Sequence, residues 1–170
     1  MAVMNVITKK MPTGFPGQVA RQSFNVIETH FIDPTDPVTM YGAPVVLTTD
    51  GKVRIIKSGD TADKIYGFTV RPDAVQLGGD NPGFGDSGIP DIKQPVDIMV
   101  KGYMNVKVYG DAAPAQGGAV YVTPTRQAES EEIPAGSVVA SSATTNAVAV
   151  PNAIFMCGAD EFGISQIRLL

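Results

Sequence analysis

An all-β protein with a single body is what this sequence predicts, and three observations carry the prediction. The 170 residues include 18 glycines and 13 prolines, residue types that usually interrupt helices. Short β-branched or aromatic runs recur between turn signals at roughly the spacing of a sandwich or barrel. Hydrophobic residues make up 44% and charged residues 18%, too apolar for disorder and sufficient for one real core. About nine runs are countable, and that number fits a sandwich, a jelly roll or a barrel equally well.

The chain divides into an extended N-terminal arm, residues 1–22, and a body, residues 23–170. In the arm, MPTGFPGQVARQ (Met11 to Gln22) places two prolines and two glycines in its first seven positions, which favours extended or turning backbone. Phe15 and the apolar start MAVMNVI give this segment something to be tied down by. The body's first strand is Phe24 to Ile32, ended by DPTDP, whose Asp and Pro residues preset turn geometry. Pro44 to Thr48 follows. Asp50-Gly51 then forms a tight-hairpin signal leading into Val53 to Lys57. Ser58 to Lys64 has room for one helical turn, and Ile65 to Arg71 is a strand with Gly67 as its bulge candidate.

Val96 to Gly110 has the clearest period-two pattern. Val96, Ile98 and Val100, then Met104, Val106 and Val108, each give a run one apolar face, with Lys101-Gly102 between the runs as either a hairpin turn or a bulge. Ala119 to Thr123, Ser137 to Ala140, Asn152 to Cys157 and Ile164 to Leu169 complete the strands. Leu77 to Pro90, with five glycines and two prolines, and Pro124 to Pro134, with Glu129, Glu131 and Glu132, read as long loops.

Charge and residue inventory exclude several function classes. Residues 1–27 hold Lys9, Lys10 and Arg21 and no acid, whereas the other 143 residues carry 10 basic and 17 acidic side chains. A basic arm on an acidic body results. Three cations are too few for the many phosphate contacts that nucleic-acid binding needs, so the arm's expected surroundings are an acidic protein surface or solvent. No apolar run approaches the roughly 20 residues of a membrane span, and Met1 to Lys10 lacks the order of a signal peptide. A single cysteine, Cys157, forbids an internal disulfide, and with one histidine, His30, no zinc site of several His and Cys ligands can be built.

Nothing in the sequence assembles a catalytic set. Cys157 lies in IFMCGAD, which has no nucleophile-elbow pattern and reads as a core thiol, and His30 reads as a surface or capping residue. The carboxylate pairs Asp60/Asp63, Asp80/Asp86 and Asp160/Glu161 all sit beside Gly or Ser in loops, where turn chemistry explains them. GGDNPGFGDSG lacks the every-second-residue ligand spacing of a calcium loop, and Gly78-Gly79 has no following Gly-Lys-Ser/Thr for phosphate. The expectation is a protein with no enzyme activity, no cofactor and no metal.

Five segments remain in order: GFPGQVAR (Gly14 to Arg21), YGAPVV (Tyr41 to Val46), IYGFTVRP (Ile65 to Pro72), MVKGYMNVKV (Met99 to Val108) and GGAVYVTP (Gly117 to Pro124). Together they resemble the structural cement, or decoration, proteins of tailed bacteriophage capsids, over most of the chain. Gly14, Gly17, Gln18 and Ala20 match that family's N-terminal Gly-x-x-Gly-Gln-x-Ala element, and Arg21 departs from the acidic residue common beside it. The resemblance tips the fold toward a β-sandwich or jelly-roll-like barrel. It implies a non-enzymatic protein, made in the host cytoplasm, that binds the outer surface of the expanded capsid and bridges neighbouring major capsid protein subunits. A homo-oligomer, dimer or trimer, is the implied form, with neither nucleic acid nor membrane as partner. Lys9, Lys10, Phe15, Gln18 and Arg21 become the candidate capsid contacts, Phe15 as apolar anchor and the cations as charge partners. The alternative is another virion binding module, a baseplate or fibre component recognising a host glycan or a second virion protein. The absence of Trp and the 7% aromatic content count against a sugar site.

Overall fold

The longest element explains the rest of the architecture. In the computed structural model, which describes residues 13–72, 88–126, 133–144 and 146–170, strand β5 runs unbroken from Pro95 to Tyr109. Lys101-Gly102 is therefore no hairpin turn. The strand changes phase there: Val96 and Ile98 face one apolar cluster, Met99 faces a second, and beyond Gly102 it is Met104, Val106 and Val108 that face the second. Gly102 has φ +136°, a region that side-chain-bearing residues seldom occupy.

Around β5 lie β1 (Val19–Phe31), β2 (Pro44–Leu47), β3 (Val53–Ile55), β4 (Ile65–Thr69), β6 (Ala119–Thr123), β7 (Ser137–Val139), β8 (Val148–Phe155) and β9 (Ile164–Leu169). The C-terminal half of β5 pairs antiparallel with β9, from Gly102 opposite Leu169 to Lys107 opposite Ile164. β9 pairs with β8, β8 with β6, β6 with β7, and β7 returns in parallel to Val108 and Tyr109 of β5. The five strands close into a barrel, which removes exposed sheet edges. Its interior holds Met104, Val106, Val120, Val122, Phe155 and Ile167.

The N-terminal half of β5 belongs to a second, smaller enclosure. β4 pairs with β5 at Phe68–Met99, β2 and β3 extend the sheet beyond it, and β1 pairs on the opposite edge of β5. A parallel bridge from Ile32 to Val53 brings the end of β1 back to β3. Ile32, Val38, Met40, Tyr41, Val45, Val53, Val96 and Ile98 fill the space within. Val45 packs into this cluster and its neighbour Val46 into the barrel's, so β2 is buried on both faces, as its uninterrupted apolar run demands.

The all-β class expected from the sequence is the class observed, and the described residues contain no α-helix, only one 3-10 turn at Ala62–Lys64. Two boundaries differ by more than about two residues. β1 begins at Val19, so the expected division between arm and body at residue 22 falls inside a strand. β8 begins at Val148 rather than Asn152. Its register against β6 slips between Ala119–Ile154 and Tyr121–Ala149, and exposed Pro151 sits in that slip, where the ladder requires no N–H. The glycine-rich stretch up to residue 87 and the acidic cluster Glu129, Glu131 and Glu132 lie outside the described residues.

Candidate functional site

The segment singled out by its Gly-x-x-Gly-Gln pattern is seated on the body. Gln18 folds it into a turn: its N–H donates to the Phe15 carbonyl (3.1 Å) and its Oε1 accepts from the Phe15 N–H (3.1 Å). The turn then inserts between β5 and the chain after β4. Gly17 N–H donates to the Asn105 carbonyl (2.8 Å), Asn105 N–H to the Gln18 carbonyl (2.9 Å), and Arg71 N–H to the Gly17 carbonyl (2.8 Å). Buried Asn105 adds a bond from Nδ2 to the Thr13 carbonyl (3.1 Å).

Glycine is required at position 17 for two reasons. Its φ is +80°, and a Cβ there would lie 2.8 Å from Tyr41 Cβ, 2.9 Å from Gly42 N and 3.0 Å from Arg71 N. Upstream, the Thr13 N–H donates to Asp160 Oδ2 (2.8 Å), while Phe162 and Ile164 N–H groups donate to Asp160 Oδ1 (2.9 and 2.8 Å). Burial opposes the charged form of Asp160. These backbone donors outweigh it and hold the carboxyl below the usual range.

The five contact candidates fall into three groups. Phe15 and Gln18 are half-buried in this seat, with the Arg71 guanidinium 4.6 Å from the Phe15 ring centroid. Arg21 is exposed on β1, stacked 4.6 Å over the Tyr103 ring, and Arg168 of β9 approaches the same ring at 5.7 Å. Lys9 and Lys10 lie outside the described residues.

Of the residues weighed for chemistry, His30, Cys157, Asp60 and Asp160 are each engaged in structure, and Asp80 and Asp86 lie outside the described residues. His30 donates from Nδ1 to the Gly51 carbonyl (2.9 Å) and meets Tyr66 edge-on, while Cys157 lies near Ser165 Oγ (3.9 Å) at the far end of β8. Asp60 receives a two-pronged bond from Arg54 (2.6 and 2.8 Å). Among the described residues no three His, Cys, Asp or Glu side chains gather as a metal cage.

Sequence reasoning missed the outer face of β1. Between Arg21–Tyr103 and Val26–Lys101 the register advances five residues on β1 and two on β5, so β1 bulges outward. Phe24 stands on this bulge at φ +53° with 93% of its surface exposed, and Val26, Ile27 and Phe31 are exposed further along. Aromatic and β-branched residues in a strand read as core; only the register shift, invisible in sequence, turns Phe24 out.

The described residues thus form a closed β body with a seated N-terminal turn and, on β1, an exposed apolar face beside Arg21. The fold is similar to that of a chain in the capsid of Myoviridae phage XM1, at 21% identity and TM-score 0.69, covering 99% of this chain and 97% of that one. A search of curated proteins finds no match. The family model described as structural cement protein (E217 gp24/Pam3 gp6) matches residues 4–170, and the chain belongs to that family. Its role is accordingly structural, the stabilisation of a phage capsid, and its place is the virion.

Proposed function

We propose that the protein binds the outer surface of the expanded capsid and joins neighbouring major capsid protein subunits, so that opening a joint in the shell also requires separating this protein from one of them. The observation that carries this reading is the seat at residues 13–18. It fixes Thr13 beside β5 and the loop between β8 and β9 and leaves Arg21 facing outward next to it. Residues 1–12, with Lys9 and Lys10, enter the contact together with Arg21, while Phe15 and Gln18 hold the base of the segment to the body. Many symmetric copies multiply a modest contact, and a dimer or trimer of the protein adds avidity.

Co-sedimentation with expanded, undecorated capsids of the encoding phage tests this, comparing the full chain with one lacking residues 1–12. Truncation at residue 23 would not serve, because it also removes the Gly17 and Asn105 bonds that seat the segment. Saturable binding at a fixed ratio to the major capsid protein, weakened by the shorter truncation, is the expected result. Failure of the full chain to bind matched capsids refutes the reading.

A further inference from the structure

We propose that the Phe24 bulge of β1 is a preformed plug that enters an apolar pocket with an acidic rim on the major capsid protein. This deepens the capsid reading above and rests on it. The bulge is a built feature. Asn25 Nδ2 closes it by donating to the Arg21 carbonyl (2.7 Å), and the Asn25 amide lies over Gly102, occupying the space that any Cβ on that residue would need. Phe24 itself is held in the left-handed region, where a bulky residue is an outlier, and the residue is 93% exposed. Inside this chain the arrangement is doubly unfavourable, since strained backbone and a solvated aromatic ring both cost stability. An anchor that inserts into a partner recovers the cost of the solvated ring and offsets that of the backbone, and a few side chains seated in desolvated pockets carry most of the binding energy of an interface.

The surrounding charge specifies the partner. Arg21 precedes the bulge, Lys101 pairs with Val26 directly after it, and Arg168 shares the Tyr103 ring with Arg21. Among the described residues none of these three cations forms an ion pair, whereas Lys52, Arg54, Lys57 and Lys64 are all matched with aspartates. Carboxylates around the receiving pocket would complete them. A second copy meeting this face through a twofold axis would instead set the same three cations against each other, an arrangement that selects against self-association here.

The decisive variant is Phe24→Gly, because glycine is at ease in the left-handed region. The expected result is a melting temperature equal to or above the wild type together with capsid binding weakened about tenfold or more. Arg21→Glu with Lys101→Glu should also weaken binding and flatten its salt dependence. Wild-type binding to the same capsids tests the underlying reading separately; if the wild type does not bind, both fall. If the wild type binds and Phe24→Gly binds equally well, the plug is refuted and the capsid reading stands. Loss of self-association in sedimentation velocity with capsid binding intact would make a second copy the occupant and likewise overturn the proposal.

Discussion

Gly17→Ala measures how firmly the N-terminal turn is seated. The substitution meets two obstacles that add. At φ +80° a side-chain-bearing residue costs about 1–2 kcal/mol relative to glycine. The new methyl would also lie 2.8–3.0 Å from Tyr41 Cβ, Gly42 N and Arg71 N, and two of those three atoms are backbone that cannot swing aside. Relief requires the turn to lift, which stretches the bonds joining Gly17 to Asn105 and Arg71 and Gln18 to Asn105. Each such bond contributes about 1 kcal/mol, so the loss should reach about 3–5 kcal/mol. Gly51→Ala is the control: its φ is +78°, yet nothing lies within 4 Å of the added carbon, so only the backbone cost of about 1–2 kcal/mol applies. Paired urea and thermal unfolding curves separate the two. For a chain of this size a kcal/mol is worth about 2–4 °C, so Gly17→Ala should melt about 10 °C low and Gly51→Ala only a few degrees low. Equal losses would show that position 17 needs glycine for its dihedral alone and that the seat is not tight.

Two further predictions concern the body. The Arg54 fork, aided by the Lys57 N–H, holds the Asp60 carboxyl down from 3.8 to about 2 against an opposing effect of burial. Because the folded-state value is the lower one, this stabilisation is complete above about pH 5 and is lost as pH falls through 4 toward 2; the shift is worth about 2 kcal/mol. Asp60→Asn should remove that part of the acid dependence in denaturation curves from pH 3 to pH 6, and an unchanged acid limb would disprove the assignment. Gly102→Ala should destabilise by about 2–4 kcal/mol because its Cβ falls on the Asn25 amide. Asn25→Gly in the same chain should restore part of the loss, and strict additivity of the two changes in a double-mutant cycle would show that Asn25 is not the obstacle.

The strands were legible where each residue's side of the sheet follows from its neighbours alone. β2, β3, β4, β6, β7 and β9 were readable as runs bounded by turn residues, and Asp50-Gly51 marks the hairpin between β2 and β3 that the structure contains. β5 was legible as alternation but not in its consequence. Val96, Ile98, Met104, Val106 and Val108 share one parity in sequence, yet they serve two clusters because the strand changes phase at Gly102. Lys101-Gly102 marks the break between the two runs, but the feature packed against it, Asn25 over Gly102, comes from a strand more than seventy residues earlier and leaves no local trace. Pro151 hid the first half of β8 for the opposite reason. Proline is a valid local argument against a strand interior, and it is overruled only by the register slip opposite β6.

The candidate site shows the same limit more sharply. The glycines and Gln18 stand out in sequence as a motif, but their partners, Asn105, Arg71 and Tyr41, lie far along the chain, so the sequence shows that the motif matters without showing that it is a seat. That distinction changes where the contact must be sought. Phe15, apolar and near the terminus, reads as an anchor, but its ring is covered by Arg71 and its N–H is taken by Gln18. Phe24, five positions after β1 begins, reads as core and is the most exposed large apolar side chain among the described residues. Of the other exposed large apolar side chains among the described residues, Ile89 is the most exposed at 71%, and none but Phe24 also stands in the left-handed region. The stability forgone at the β1 bulge is therefore not a general looseness of the fold; it is confined to one ring, one amide and one glycine, which is the economy expected of a surface shaped for a partner rather than for the chain itself.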